Sequence, residues 1–271
     1  MRDNKNVVKK VWDDYWNELD VSKKDFNLSK YRKILLNELR DELNNRDGHV
    51  NILNAGCGID PIPLYILREY ENVHVTLMDI SQRCLELNKA FFKKVLSDNE
   101  LGRIRYVTGD IFDMEFEESS FDIVYNTGVL EHFLDDERTK VLSEINRILK
   151  VNGLFITLNP SAQGRIYTYM KEYLENNGRW KYGPEYPIES LKEFVNDSFE
   201  NYDIIEYNLD FQDSLAFLFE HNNPFISFSG RFYHILCRLD IIENISLKIF
   251  GGYILLTKIR KKQNFKNLEH S

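Results

Sequence analysis

The chain has 271 residues, 43 of them acidic and 35 basic, for a formal charge of −8, a balance that excludes duplex DNA or bulk RNA as its main partner. Its length suffices for one large α/β domain, and its three cysteines, Cys57, Cys84 and Cys237, are widely separated and lack C-x-x-C spacing, which argues for reduced thiols and against a disulfide framework or a zinc site. The longest apolar stretches are strand-sized and the start, Met1-Arg2-Asp3-Asn4-Lys5, is polar, so neither a membrane span nor a secretory signal is expected and the cytoplasm is the expected compartment.

Residues 1–48 read as helices. Val8, Val11, Trp12, Tyr15, Trp16 and Leu19 recur at three- and four-residue steps, and Tyr31, Ile34, Leu35, Glu38 and Leu39 repeat the pattern. Residues 49–61, His-Val-Asn-Ile-Leu-Asn-Ala-Gly-Cys-Gly-Ile-Asp-Pro, read as a buried strand that breaks at two glycines and runs straight into a helix. Gly56 and Gly58 permit positive φ and carry no Cβ to hold a ligand away. Asp60 can cap the helix and Pro61 suits its first turn. Free N–H groups are expected to point at whatever sits above the strand. A dinucleotide fingerprint would have a third glycine where Pro61 stands, so the ligand is not expected to be a pyrophosphate.

This stretch resembles motif I of the class I S-adenosylmethionine-dependent methyltransferases, in which a strand ends in an acidic-x-Gly-x-Gly run and the loop holds the methionine end of the cofactor. The resemblance implies S-adenosyl-L-methionine as cofactor, S-adenosyl-L-homocysteine as product, and Asn54, Ala55, Gly56, Cys57 and Gly58 as binding residues. Asn54 departs from the family, whose acid at this position helps neutralise the cofactor ammonium; an amide offers no charge. In this family helices before the first strand often form a lid, so residues 1–48 are expected to do so, with Tyr15 or Trp16 closing over the cofactor or packing on the core.

A helix over 62–70 leads to a second buried strand, Val73–Met78, ending at Asp79. Asp79 follows Gly58 by 21 residues (79 − 58), near the spacing at which an acid after strand two reaches ribose hydroxyls; Ile80 is its neighbour in the site. An amphipathic helix over 81–97, a loop over 98–102 and a third strand, Ile104–Thr108, lead to Gly109-Asp110-Ile111. In the family an acid here accepts the adenine amino group and the next apolar residue packs on the ring, roles implied for Asp110 and Ile111. A fourth strand, 121–126, ends in Asn126-Thr127 and is followed by Val129-Leu130-Glu131-His132, similar to the family's F-D-x-V…V-L-E-H stretch. Asn126 and Thr127 are the implied pocket residues. His132 is a candidate proton acceptor, and no base is assigned.

A capped helix with Val141, Leu142, Ile145, Ile148 and Leu149 on one face closes at Asn152-Gly153, and Leu154–Asn159 is the fifth strand. Five alternations of strand and helix predict a doubly wound, largely parallel sheet with its ligand crevice at the strand C-termini. Beyond Pro160 come a helix ending near Gly178, an aromatic connector over 179–187, a short helix over 188–198, a sixth strand over 202–207 and a last strand over 253–259. Between those strands the family has a tight hairpin; here residues 211–250 form an apolar, aromatic insertion, expected to be a substrate wall, a homodimer surface or a membrane-facing patch. The basic tail from Arg260 to Ser271 is expected to be mobile.

The expected architecture is therefore an α/β, doubly wound, Rossmann-like seven-stranded sheet with a lid (1–48), a cofactor-binding core (49–160), a connector and core continuation (161–210), a helical insertion (211–250), and a last strand and tail (251–271). The expected function is methyl transfer by in-line displacement to a small-molecule acceptor, with no metal and no duplex nucleic acid. A non-catalytic cofactor-binding module and a nicotinamide-dependent oxidoreductase are the rival readings.

Overall fold

Val50 and Ile52 of the first strand face one layer of the protein, with Leu35, Leu39, Ile66 and Cys84; Leu53 and Ala55 face the other, with Val141, Leu142 and Ile145. A strand covered on both faces reads as a continuous apolar run. The computed structural model describes residues 2–18 and 28–263; Leu19, the side chain of Val8 and the tail from Asn264 lie outside the described residues. Its strands are β1 (Val50–Ala55), β2 (Val73–Asp79), β3 (Ile104–Thr108), β4 (Phe121–Thr127), β5 (Leu149–Pro160), β6 (Tyr202–Leu209) and β7 (Ile254–Lys261). They form one sheet in the order β3-β2-β1-β4-β5-β7-β6. The first five are parallel, and β7 lies antiparallel between β5 and β6. The chain winds outward from β1 to β3 and then returns to β4 on the other side of β1. That reversal opens a crevice above the C-terminal ends of the strands.

The helices are α1 (Arg2–Glu18), α2 (Lys30–Leu43), α3 (Ile62–Glu69), α4 (Gln82–Val95), α5 (Asp98–Leu101), α6 (Asp135–Ile148), α7 (Arg165–Asn176), α8 (Lys192–Ser198), α9 (Phe211–Leu218), α10 (Pro224–Leu236) and α11 (Asp240–Phe250). The stretch 98–102, read as a loop, contains a helical turn because Ser97 and Glu100 form a reciprocal capping box. Strand β5 begins five residues before the predicted start, since Asn152 takes a left-handed φ of +63° and lets the strand run on through Gly153. Two charge pairs tie α2 to the last strand: Lys258 Nζ donates to Glu38 at 2.5 Å, and Arg260 forks onto Glu42 at 3.0 and 2.6 Å.

The insertion between β6 and β7 consists of three helices. Phe211, Leu215 and Cys237 form its own small core. Phe225, Phe228, Phe232 and Ile235 on α10, and Ile241, Ile245 and Ile249 on α11, lie exposed in two stripes. No helix among the described residues is long and apolar enough to cross a membrane.

Candidate functional site

The glycine turn after β1 is held from inside. Gly56 and Gly58 have φ of +79° and +48°, and the N–H groups of Gly56 and Cys57 both donate to the Met78 carbonyl at 2.8 and 2.9 Å. Gly58 N–H donates to Asp79 Oδ2 at 2.9 Å. The free N–H groups expected here are thus consumed by β2, and the turn offers bare backbone rather than a phosphate-binding nest. A Cβ on Gly58 would come within 3.3 Å of Trp16, and one on Gly56 within 3.0 Å of Val129. Absence of both Cβ atoms keeps the floor of the crevice low.

That crevice is a cavity of about 420 Å³, within the range of roughly 300–1,000 Å³ usual for small-molecule sites. Gly56, Cys57, Gly58, Asp79, Ile80, Asp110, Ile111 and Thr127 all line it, so carboxylates from β2 and β3 share one hollow with the turn from β1. Asp79 is buried; its Oδ1 accepts the Ser81 N–H and its Oδ2 that of Gly58, both at 2.9 Å. A carboxylate has about four acceptor sites, so a diol can still be held. Burial pushes the Asp79 carboxyl up, against the pull of these two N–H groups and of Cys84. Asp110 Oδ1 accepts the Phe112 N–H at 3.0 Å, bending the chain so that Ile111 packs inward.

Asn54, Ala55 and Asn126 are buried and do not line the cavity. Asn54 Nδ2 donates to Asp60 Oδ2 at 2.8 Å, and Tyr125 OH donates to the same oxygen at 2.6 Å. Asp60 Oδ1 caps α3 through the Ile62 N–H at 3.0 Å. A buried acid thus stands six residues after Asn54, under the turn and, like Asn54, outside the cavity lining; burial pushes it up, and nearby Arg32 opposes that. Asn126 Oδ1 accepts from Thr157 Oγ1 at 2.5 Å, Asn159 Nδ2 donates to that hydroxyl, and Asn159 Oδ1 accepts the Leu130 N–H. This chain of bonds seats the 3₁₀ turn Leu130–His132.

From that turn Glu131 and His132 face the cavity, opposite Glu185 from the aromatic connector. Both carboxylate side chains and the ring bring one ligating atom each within 4.8 Å of one another. His132 Nδ1 lies 2.9 Å from the Pro184 carbonyl, which takes its N–H and leaves Nε2 as an acceptor. Burial pushes the His132 imidazole down, holding it neutral. Tyr167 OH donates to Glu185 Oε2 at 2.6 Å. Burial, reinforced by Glu185, pushes Glu131 well above the usual carboxylate range, and Glu185 itself is pushed up to about 7 by burial. Cys57, Asp79 and Cys84 form a second group of potential ligands, but burial holds the Cys57 thiol protonated, and Cys84 Sγ donates to the Gly58 carbonyl.

The helices before β1 contribute side chains to the cavity. Trp12, Tyr15, Trp16, Tyr31 and Arg32 line the cavity from α1 and α2, and Trp180, Tyr182, Phe217 and Tyr253 from the connector, α9 and the start of β7. Arg32 Nη2 donates to the Ile59 carbonyl at 3.2 Å, which places its guanidinium over the glycine turn. Glu185 and Arg32 were absent from the sequence-derived site, because neither sits at a strand end or in a periodic pattern.

The model of a family described as "Methyltransferase domain" matches residues 53–157. A demethylmenaquinone methyltransferase from Leptospira interrogans is 30% identical over 161 residues, 59% of this chain and 59% of the relative. Phosphoethanolamine N-methyltransferase 2 from Caenorhabditis elegans is 28% identical over 146 residues, 54% of this chain and 30% of the relative. The chain therefore spans less than two thirds of the length of these relatives. Among solved structures, geranyl diphosphate C-methyltransferase from Streptomyces coelicolor, in complex with Mg2+, geranyl diphosphate and S-adenosyl-L-homocysteine, superimposes with a TM-score of 0.60 at 13% identity, covering 94% of this chain and 98% of that one. Haemonchus contortus phosphoethanolamine N-methyltransferase 2 in complex with S-adenosyl-L-methionine gives 0.58 at 20% identity, covering 85% and 53%.

Proposed function

Because its core belongs to the class I S-adenosylmethionine-dependent methyltransferases, we propose that this chain transfers a methyl group from S-adenosyl-L-methionine to a small-molecule acceptor in the cytoplasm. One observation carries the reading: Asp79 and Asp110, from the ends of β2 and β3, open into the same hollow as the Gly56–Gly58 turn. The residues present fit the cofactor. Asp79 retains acceptor capacity for the ribose hydroxyls, and Asp110 can accept an exocyclic amino group that Ile111 lies beside. The turn would fill with any Cβ. Arg32 supplies a fork for the methionine carboxylate, while Asp60 holds the turn from beneath through Asn54 and the Ile62 N–H.

When bound, the cofactor supplies an activated methyl: one bond forms to the acceptor as the carbon–sulfur bond breaks, and sulfur keeps the electron pair. The chain's own part is alignment and exclusion of water, a proximity effect. Trp12, Tyr15 and Trp16 close the hollow from above, and the seated turn Leu130–His132 fixes the acceptor side. The test is calorimetric titration with S-adenosylhomocysteine and, separately, NADH, followed by transfer of radiolabelled methyl to a metabolite library. Binding of NADH alone would establish the nicotinamide reading; binding of S-adenosylhomocysteine without any labelled product would establish a non-catalytic module.

The insertion supports a homodimer. Its eight apolar side chains, the two stripes and Leu239 between them, are each more than half exposed, presenting on the order of 700 Å². Monomers seldom leave so much apolar surface uncovered, and a stable interface needs roughly 800 Å² per partner. Light scattering should report twice the chain mass, falling to one in Phe228→Lys/Ile245→Lys; a monomer that sediments with lipid vesicles would instead identify a membrane as the occupant.

A further inference from the structure

Within the methyltransferase reading, on which it rests, we infer that the acceptor is a cationic amine, held as its ammonium between the Glu131 and Glu185 carboxylates inside a ring of aromatic side chains, and that one carboxylate then takes its proton.

The acids lining the cavity outnumber its cations: Arg32 is the single cation among the described residues, beside Asp79, Asp110, Glu131 and Glu185. The first two carboxylates belong with the nucleoside; the other two lie beside His132. Burial raises Glu131 and Glu185 because no cation pairs with them, and a bound ammonium would supply the partner that draws them into the ionised form. Glu131 is only 2% exposed and its Oε2 has no hydrogen-bond partner in the protein. Glu185 is 9% exposed and receives one hydrogen bond, from Tyr167. Nearby cations act on these two carboxyls only at longer range, without a direct ion pair among the described residues: Arg138 donates to the Leu130 and Tyr186 carbonyls and pairs with Asp135, and Lys171 pairs with Glu175.

Hydrogen-bond type narrows the ligand further. Ionised, Glu131 and Glu185 are acceptors only, and one oxygen of each gathers with a ring nitrogen of His132 within 4.8 Å. A hydroxyl has one donor to share among them, whereas a protonated primary or secondary amine brings at least two donors and the missing positive charge. Trp12, Tyr15, Trp180 and Tyr182 line the same hollow, with the Trp12 ring 5.5 Å from His132 and the Trp180 and Tyr182 rings 5.3 Å apart. Aromatic faces attract cations and reject anions.

Methylation needs the nitrogen lone pair. The ammonium N–H proton passes to a carboxylate, so that a cation and an anion become a neutral amine and a neutral carboxylic acid, and the acid later returns the proton to solvent. A carboxyl displaced upward by burial is suited to that exchange near neutral pH.

All three tryptophans, Trp12, Trp16 and Trp180, line the cavity, so intrinsic fluorescence reads its occupancy. The protein, saturated with S-adenosylhomocysteine, is titrated with N-methylethanolamine, whose protonated form carries two N–H donors, with its neutral isostere butan-1-ol, and with Mg2+ alone. The amine should bind at least about tenfold tighter than the alcohol. Glu131→Gln and Glu185→Gln should each shrink that preference to less than about threefold, while S-adenosylhomocysteine still raises their Tm and so shows them folded. Equal binding of amine and alcohol, or no saturable response to the amine, overturns the inference. So does saturation by Mg2+ without amine preference, which would assign the cluster to a divalent cation. If S-adenosylhomocysteine itself fails to bind, it is the methyltransferase reading that falls.

Discussion

The Asp79 carboxylate accepts the Gly58 N–H at 2.9 Å, so the acid at the end of β2 and the second glycine of the β1 turn form one unit. Asp79→Ala removes both the ribose acceptor and this tie. Charge-assisted hydrogen bonds of about 1.5–3 kcal/mol are lost, and S-adenosylhomocysteine should bind roughly ten- to a hundredfold more weakly by calorimetry. Asp79→Asn retains one acceptor oxygen and should lose less. Unchanged affinity in both variants would remove Asp79 from the site.

Asp110 can accept an N–H but cannot donate when ionised. The protein should therefore prefer S-adenosylhomocysteine to S-inosylhomocysteine, which carries a carbonyl in place of the amino group, by about tenfold or more. Asp110→Asn, whose amide also donates, should narrow the gap. Competition titration measures both, and equal affinity for the two nucleosides in the wild-type protein would place Asp110 away from the base.

Residues fixed by local pattern were readable from the sequence. Gly56, Gly58, Asp79 and Asp110 each end or follow a strand of a parallel sheet, and strand ends are visible as apolar runs that stop. Residues whose role depends on a distant partner were not. Asn54 looks like a defect in its motif until Tyr125, from β4, is seen to share Asp60 with it. Glu185 sits in a connector without periodicity, anchored by Tyr167 and by the pairing of Ser161 with Ile188. The helix over 98–101 is a different case, because its capping box, Ser97 with Glu100, is local and stands in the sequence itself.

Glu185 should leave a signature in stability against pH. Facing it are Tyr167, Lys171, Glu175 and Glu131; burial outweighs the others and raises it from an ordinary value of 4.5 to about 7. Between those values the unfolded chain releases this proton while the folded chain keeps it, so stability falls as pH rises and levels off above about 7. A difference of that size corresponds to roughly 3 kcal/mol. Urea unfolding at pH 5, 6, 7 and 8 should show the wild-type protein losing stability relative to Glu185→Gln across this window. A relative gain instead would mean that a cation holds Glu185 ionised in the fold.

Restoring the family's acid at position 54 should damage this protein. Asn54 Nδ2 donates to Asp60 at 2.8 Å in a buried site, and Asn54→Asp would set two carboxylates against each other where they cannot both ionise. The expected cost is about 2–4 kcal/mol, a fall in Tm of roughly 5–10 °C for a chain of this size. The exchanged pair, Asn54→Asp with Asp60→Asn, keeps one acid and one amide: the amide introduced at position 60 can still cap α3 through its oxygen and donate to the carboxylate introduced at position 54, and Tyr125 can turn to the same acceptor. Most of the lost stability should return, giving a strongly non-additive cycle. If the double variant is only as stable as the sum of its parts, Asn54 and Asp60 do not act as a pair, and Asp60 does not hold the turn through Asn54.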